Sequence, residues 1–231
     1  MAPPPYRRLL LVSPDAAGRA PERLLRATRA EVALVVFEPS AFEAEALVRL
    51  SRECLGDTAV ESVGVLTRCR PGEVSLAGGL HCTAETLEES TSAQSFWRGM
   101  ASVLKPGGRI DLLAPGVANG AAGAALVATL QDFTERPIAA AADAEHADEF
   151  ALRLIDGRVI PAGALYFDLQ LLQEWVAVER GIPSTQTTVA PGAVTESLEI
   201  VASEVEEDSP SPQPRSHAPH DSSEGGECAL M

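Results

Sequence analysis

The sequence predicts an α/β domain, a three-layer sandwich around a mainly parallel central sheet, followed by a disordered acidic tail. Three observations carry this expectation. Apolar runs of strand length alternate with stretches of helical periodicity, the pattern of a sheet covered by helices. Turn and stop residues fall between those runs. From about Gly181 onward Ser, Pro, Glu and Gly dominate, and no apolar periodicity persists beyond Val201. The chain has 231 residues, 45% of them hydrophobic, which is ample to bury a core in roughly the first 180.

Taken in order, Arg8-Leu9-Leu10-Leu11-Val12 reads as a buried strand that ends in the turn Ser13-Pro14-Asp15, and residues 22–29 read as a short helix. Residues 31–37 make a second buried strand. Phe42, Ala46, Leu47 and Leu50 then share one helical face, with Ser40 placed as its cap. Residues 62–66 form a third strand, and a hairpin is expected around Glu73-Val74-Ser75-Leu76. A helix over 95–104 stops at Lys105-Pro106-Gly107-Gly108, where proline and glycine end helical hydrogen bonding. Phe96, Trp97 and Met100 lie at core spacing on it. A fourth strand follows over 109–113, then an alanine-rich helix over 123–133 and a short strand over 138–141. Residues 152–155 and 158–160 flank Asp156-Gly157 as a hairpin, and residues 166–178 form a strand-to-helix passage. The domain is therefore expected over 7–180, between a flexible stretch at 1–6 and a tether at 181–227.

Charge and cysteine usage exclude several classes. The net charge of −15 opposes nucleic-acid binding, and residues 181–231 hold nine acids against one Arg. No apolar run is long enough to span a bilayer, and the start Met1-Ala2-Pro3-Pro4-Pro5-Tyr6-Arg7-Arg8 does not resemble a secretory signal, so a cytosolic protein is expected. Cys54, Cys69, Cys82 and Cys228 lack zinc-type spacing. The first three read as structural thiols of a reducing compartment, and no cofactor or metal is called for.

The final four residues, Cys228-Ala229-Leu230-Met231, fit the CaaX pattern of farnesylation: a thiol, two aliphatic residues and a terminal Met. The expected partners are farnesyltransferase and the CaaX-processing enzymes, then the cytosolic face of a membrane. One lipid chain of this size gives marginal affinity, on the order of 10⁴ M⁻¹, and the tail supplies neither a polybasic stretch nor a neighbouring cysteine. A weakly held farnesyl group is also what a prenyl-binding carrier takes up, a route that extends to cilia. The tether would give the domain a reach of roughly 35 to 40 Å. Within it, Ser209 and Ser211 each precede Pro and are candidate sites for proline-directed kinases beside the acidic run 204–208.

Two family resemblances meet in the domain. Val103-Leu104-Lys105-Pro106-Gly107-Gly108-Arg109 looks like the late-strand signature of class I methyltransferases, while the first strand is followed by Ser13-Pro14-Asp15-Ala16-Ala17-Gly18, without the closely spaced glycines of their cofactor turn. A second resemblance covers about 7–144. Residues 62–72 and 111–123 are similar in order and spacing to the uncharacterised caspase-like domain near the N-terminus of very large bacterial adhesin and cadherin-repeat proteins. That resemblance implies a Cys–His pair, but here Arg68 stands at the His position and Pro115 at the Cys position.

A guanidinium is no base near neutral pH, and proline offers no nucleophile, so the resemblance implies a pseudoenzyme-like scaffold. Cys69 is the alternative nucleophile, with His81 and His146 as the nearest candidate bases. Glu85, Glu88 and Glu89 read as a solvent-facing turn or helix start. The expected function is a prenylated, membrane-associated, non-catalytic adaptor. The alternatives are a divergent cysteine hydrolase, a degenerate methyltransferase, or a soluble interaction module with Cys228 unmodified.

Overall fold

The computed structural model describes residues 6–40, 43–56, 58–141 and 150–181. Its centre is a seven-stranded sheet formed by β1 (Arg8–Val12), β2 (Val32–Val36), β3 (Val60–Leu66), β7 (Leu104–Leu112), β8 (Ile138–Ala140), β9 (Ala151–Leu154) and β10 (Val159–Pro161). The spatial order is β10-β9-β8-β7-β3-β1-β2. The five strands from β2 to β8 pair in parallel, and β9 and β10 extend the sheet antiparallel. The interior strands carry apolar residues on both faces, as a sheet covered twice requires; Leu9 to Val12 are wholly buried. A small antiparallel sheet of β4 (Cys69–Arg70), β5 (Glu73–Ser75) and β6 (His81–Cys82) follows β3.

Helices close both faces. Leu47 and Val48 of α2 (Ala44–Leu55), Phe96, Trp97 and Met100 of α4 (Thr91–Ser102), and Leu126 and Leu130 of α5 (Gly120–Thr134) pack with Leu9, Leu11, Val63 and Ile110 on one side. On the other, Leu24 of α1 (Pro21–Ala27), Tyr166 of α6 (Ala162–Tyr166) and Leu172 of α7 (Leu169–Glu179) pack with Leu10, Val12 and Leu113. The three-layer α/β architecture read from the sequence is the architecture of the protein. The core assignment of Phe96, Trp97 and Met100 holds; the two rings meet edge to face at 5.0 Å.

Several local expectations are corrected. Ser40 does not cap α2, whose N-cap residue is Glu43 and makes no side-chain cap bond, and Phe42 lies outside the described residues. The fourth helix runs over Thr91–Ser102 rather than 95–104, because the Ser90 hydroxyl accepts from the Ala93 N–H and sets its start. Residues 105–108 are not a linker before a strand. They fall within β7 as an irregularity: β3 pairs with Leu104 and again from Arg109, the register shifts between Val60 and Ser62, and Gly107 takes φ +76, so the proline and glycines mark a bulge in the strand. The solvent-facing segment of Glu85, Glu88 and Glu89 is a helix, α3 (Ala84–Glu89), at whose start Thr83 and Thr86 close a reciprocal capping box. Tyr166 belongs to a short helix, not a strand, and Phe167 makes an isolated antiparallel bridge with Thr28.

Candidate functional site

In an open sheet of this kind, ligands gather outside the carboxyl ends of the strands where the chain order reverses, which here is between β1 and β3. Both strands end there together, as the Ser13 N–H donates to the Leu66 carbonyl at 2.9 Å. Beyond β1, the Ser13 hydroxyl hydrogen-bonds the Asp15 carboxylate. Beyond β3, the Arg68 Nε lies 2.9 Å from Asp15 Oδ2. Asp15 therefore ties the two strand ends together. The Arg68 side chain is 71% exposed, so the pair contributes about 0–1 kcal/mol and serves geometry more than stability.

The small sheet hangs from the same point. The Thr67 hydroxyl donates to the Ser75 carbonyl, the Ser75 N–H donates to the Arg68 carbonyl at 2.9 Å, and the Gly72 N–H donates to Val117 beyond β7. Strand β7 leaves the large sheet beside β3, with the Leu113 N–H bonded to the Val65 carbonyl at 3.0 Å. Arg68 and Pro115 thus follow on the ends of the neighbouring strands β3 and β7. The structure brings the two positions to one edge of the sheet, with a guanidinium and an exposed pyrrolidine at them.

Cys69 is half-buried at the start of β4, and its Sγ contacts the Thr67 carbonyl at 3.5 Å. Burial, together with the nearby Glu73 carboxylate, pushes its thiol up to about 12. At neutral pH such a sulfur is a protonated, weakly nucleophilic thiol. His81 does not serve it: its Nδ1 lies 2.8 Å from Glu73 Oε1 and 3.2 Å from Ser75 Oγ. Serine and glutamate share one ring nitrogen, which is not the arrangement in which one nitrogen takes a proton while the other is oriented. Cys82 is buried, its thiol pushed up to about 11 by desolvation, with the Trp97 N–H acting in the opposite direction. Cys54 is half-buried on α2.

The turn after β1 is occupied from within the chain. Gly18 has φ +77, and a side chain there would meet the Glu179 carboxylate within 2.3 Å. That carboxylate, from the end of α7, accepts from the Arg19 N–H at 2.6 Å and the Ala20 N–H at 3.2 Å. The Trp175 indole N–H donates to the Ala17 carbonyl at 3.1 Å. The backbone donors that a Gly-rich cofactor turn would direct at a ligand are here bonded to the protein's own acid.

A second polar cluster sits inside the core. Asp111 on β7 is wholly buried, with Arg109 Nε 2.8 Å from Oδ1 and the Tyr166 hydroxyl 2.8 Å from Oδ2. The same hydroxyl is 2.7 Å from Ser62 Oγ. Burial raises the Asp111 carboxyl, opposed by Arg109 and by the bonds from Tyr166 and Ser62. Sequence reading passed over this group, as it did Asp15 and Glu179. One signal was present, an acid inside the apolar run Ile110-Asp111-Leu112-Leu113.

Glu85, Glu88 and Glu89 are exposed on α3, as expected. Among the described residues no group of three or more His, Cys, Asp or Glu is placed to hold a metal, and no helix is long and apolar enough to cross a membrane. Cys228, Ala229, Leu230, Met231, Ser209, Ser211 and His146 lie outside the described residues.

Comparison with known families gives one match: residues 11–150 fit the profile of a domain of unknown function, DUF4347. No curated protein and no solved structure matches the chain. The matched span runs from within β1 to the residue before β9 and holds the ends of β1, β3 and β7. Glu179 and Tyr166 fall after it.

Proposed function

The chain belongs to the DUF4347 family, and on that footing we propose that it is a non-catalytic α/β scaffold, brought to a membrane surface by a farnesyl group on Cys228. The observation that carries the non-catalytic reading is the state of the Cys69 thiol, held up to about 12 at the strand ends where a nucleophile would have to act. Two features support it. Arg68 is bonded to Asp15 and has no basic lone pair to offer, and Glu179 holds the backbone donors of the first turn. The domain's work on this reading is to present surface to other proteins.

The lipid part rests on the Cys228-Ala229-Leu230-Met231 pattern and requires Met231 to be the final residue. Farnesyltransferase and the CaaX-processing enzymes would then act on the chain, with a prenyl-binding carrier as the soluble alternative to a membrane. Two measurements test the proposal. A cysteine-directed electrophile at pH 7.4 should leave Cys69 unmodified in the folded protein; rapid stoichiometric labelling there would instead favour a divergent cysteine enzyme. Cells fed a farnesyl analogue should label the wild type and not Cys228→Ser, with membrane-fraction signal in the wild type alone. Equal partitioning of the two would sink the anchor.

A further inference from the structure

The ends of α4 and α5 bound a cavity of about 440 Å³ whose walls include Arg98, Ser102, Phe133, Glu135 and Arg136. Its distinguishing feature is positive charge without a carboxylate partner. In a chain of net charge −15, Arg29, Arg68, Arg109 and Arg158 each pair with an acid, yet among the described residues Arg98 and Arg136 pair with none. Both guanidiniums are placed by other contacts. Arg98 lies over the Phe133 ring, 4.4 Å from its centroid, which leaves its in-plane N–H groups available, and Arg136 Nη1 donates to the Lys105 carbonyl at 3.5 Å. A third guanidinium adjoins the wall, where Arg52 Nη2 donates to the Ser102 hydroxyl at 2.9 Å.

The opposing charges do not cancel this surplus. Glu135 stands in the wall, and the carbonyl ends of α4 and α5 add roughly half a negative charge each, so the three guanidiniums leave a net of about +1. The neighbouring cavity, of about 490 Å³, gives the contrast. It shares Glu135 and Arg136, but there Asp132 adds an acid and Arg158 is bonded to Asp156. Only the Arg98 side keeps a positive excess.

We propose that this cavity binds a phosphomonoester. Two guanidinium forks from different elements are met together by a tetrahedral oxyanion with three acceptor oxygens, whereas a carboxylate has two and is used up by one fork. Size is the second argument. A cavity of about 440 Å³ exceeds what a phosphate group alone fills and falls in the range that holds the organic part of a small ligand as well. The same chemistry comes from a free phosphate ester or from a phosphorylated lipid headgroup, and the second source would give a singly farnesylated domain the further membrane contact that its tail lacks. That consequence rests on the lipid reading, and the site itself does not.

The test uses full-length Cys228→Ser protein, so its outcome does not depend on farnesylation. Calorimetric titration with glucose 6-phosphate gives the soluble arm, and co-sedimentation with phosphatidylcholine vesicles containing phosphatidylinositol 4-phosphate gives the lipid arm. Saturable binding in either arm is expected, with none to glucose or to pure phosphatidylcholine. Arg98→Gln and Arg136→Gln should each weaken it by about tenfold at unchanged circular dichroism, while Arg158→Gln leaves it as it is. Binding in the vesicle arm alone assigns a headgroup, and binding of the soluble ester assigns a free phosphate ester. No binding in both arms, equal binding of glucose, or an affinity indifferent to Arg98→Gln and Arg136→Gln would overturn the proposal.

Discussion

The Tyr166 hydroxyl stands 2.8 Å from the Asp111 carboxylate in the middle of the sheet, joining the end of α6 to a charge with no access to solvent. Tyr166→Phe removes one donor from that buried acid and the partner of Ser62. The expected cost is about 1–3 kcal/mol, read as a lower urea midpoint at unchanged slope. Burial raises the Asp111 carboxyl in the folded state, so the folded protein holds this proton more tightly than the unfolded chain. Its contribution to stability is fully present below the ordinary carboxylate value and is lost as pH rises through the raised one. Unfolding followed from acid to neutral pH should show a shallower loss on that limb in Asp111→Asn.

Gly64 makes room for the same tyrosine. A methyl group there would lie 2.9 Å from the Tyr166 ring and 3.0 Å from Leu10 Cδ1, with wholly buried neighbours on both sides. Gly64→Ala should destabilise by about 1–3 kcal/mol. Adding Gly64→Ala to Tyr166→Ala should cost less than it does in the wild type, and the double-mutant cycle by denaturation measures that coupling.

The two shifted thiols set an alkaline limit. For Cys69 and Cys82 the folded values are about 12 and about 11, above the ordinary 9.0 of a thiol. Stability from their neutral forms is fully present below pH 9.0 and is lost as pH rises through 11 and 12. Cys69→Ala should flatten the fall in thermal midpoint over that window. Native thiol titration at pH 8 should find Cys69 silent, its thiolate fraction being on the order of 10⁻⁴.

Glu179 closes the turn after β1. Glu179→Ala leaves the Arg19 and Ala20 N–H groups without their acceptor and loosens the hold of α7 on α1. The expected loss is about 1–2 kcal/mol, because each bond is charge-assisted but partly exposed. Hydrogen exchange at residues 19 and 20 should rise, and Trp175 fluorescence should shift to the red as its indole gains solvent.

Much of the fold was legible because its signals are local. Apolar runs of four to six residues announced β1, β2 and β3, and Asp156-Gly157 announced the hairpin of β9 and β10. The errors fall where local and long-range signals disagree. Lys105-Pro106-Gly107-Gly108 reads as a stop before a strand at 109, yet the strand already pairs with β3 at Leu104 and passes through these four residues as a bulge. Of the candidate site, Arg68 and Pro115 were legible as positions; their partners were not.

By itself the sequence determined the layer architecture, because the periodicity of apolar residues suffices for it. Tertiary structure alone decided that Asp15 holds Arg68, that Glu179 fills a turn 160 residues upstream of it, and that Tyr166 reaches Asp111. The physical reason is reach. Those contacts join side chains 53, 160 and 55 residues apart, and at such separations pairing is set by which strands become neighbours in the sheet and which helices lie across them.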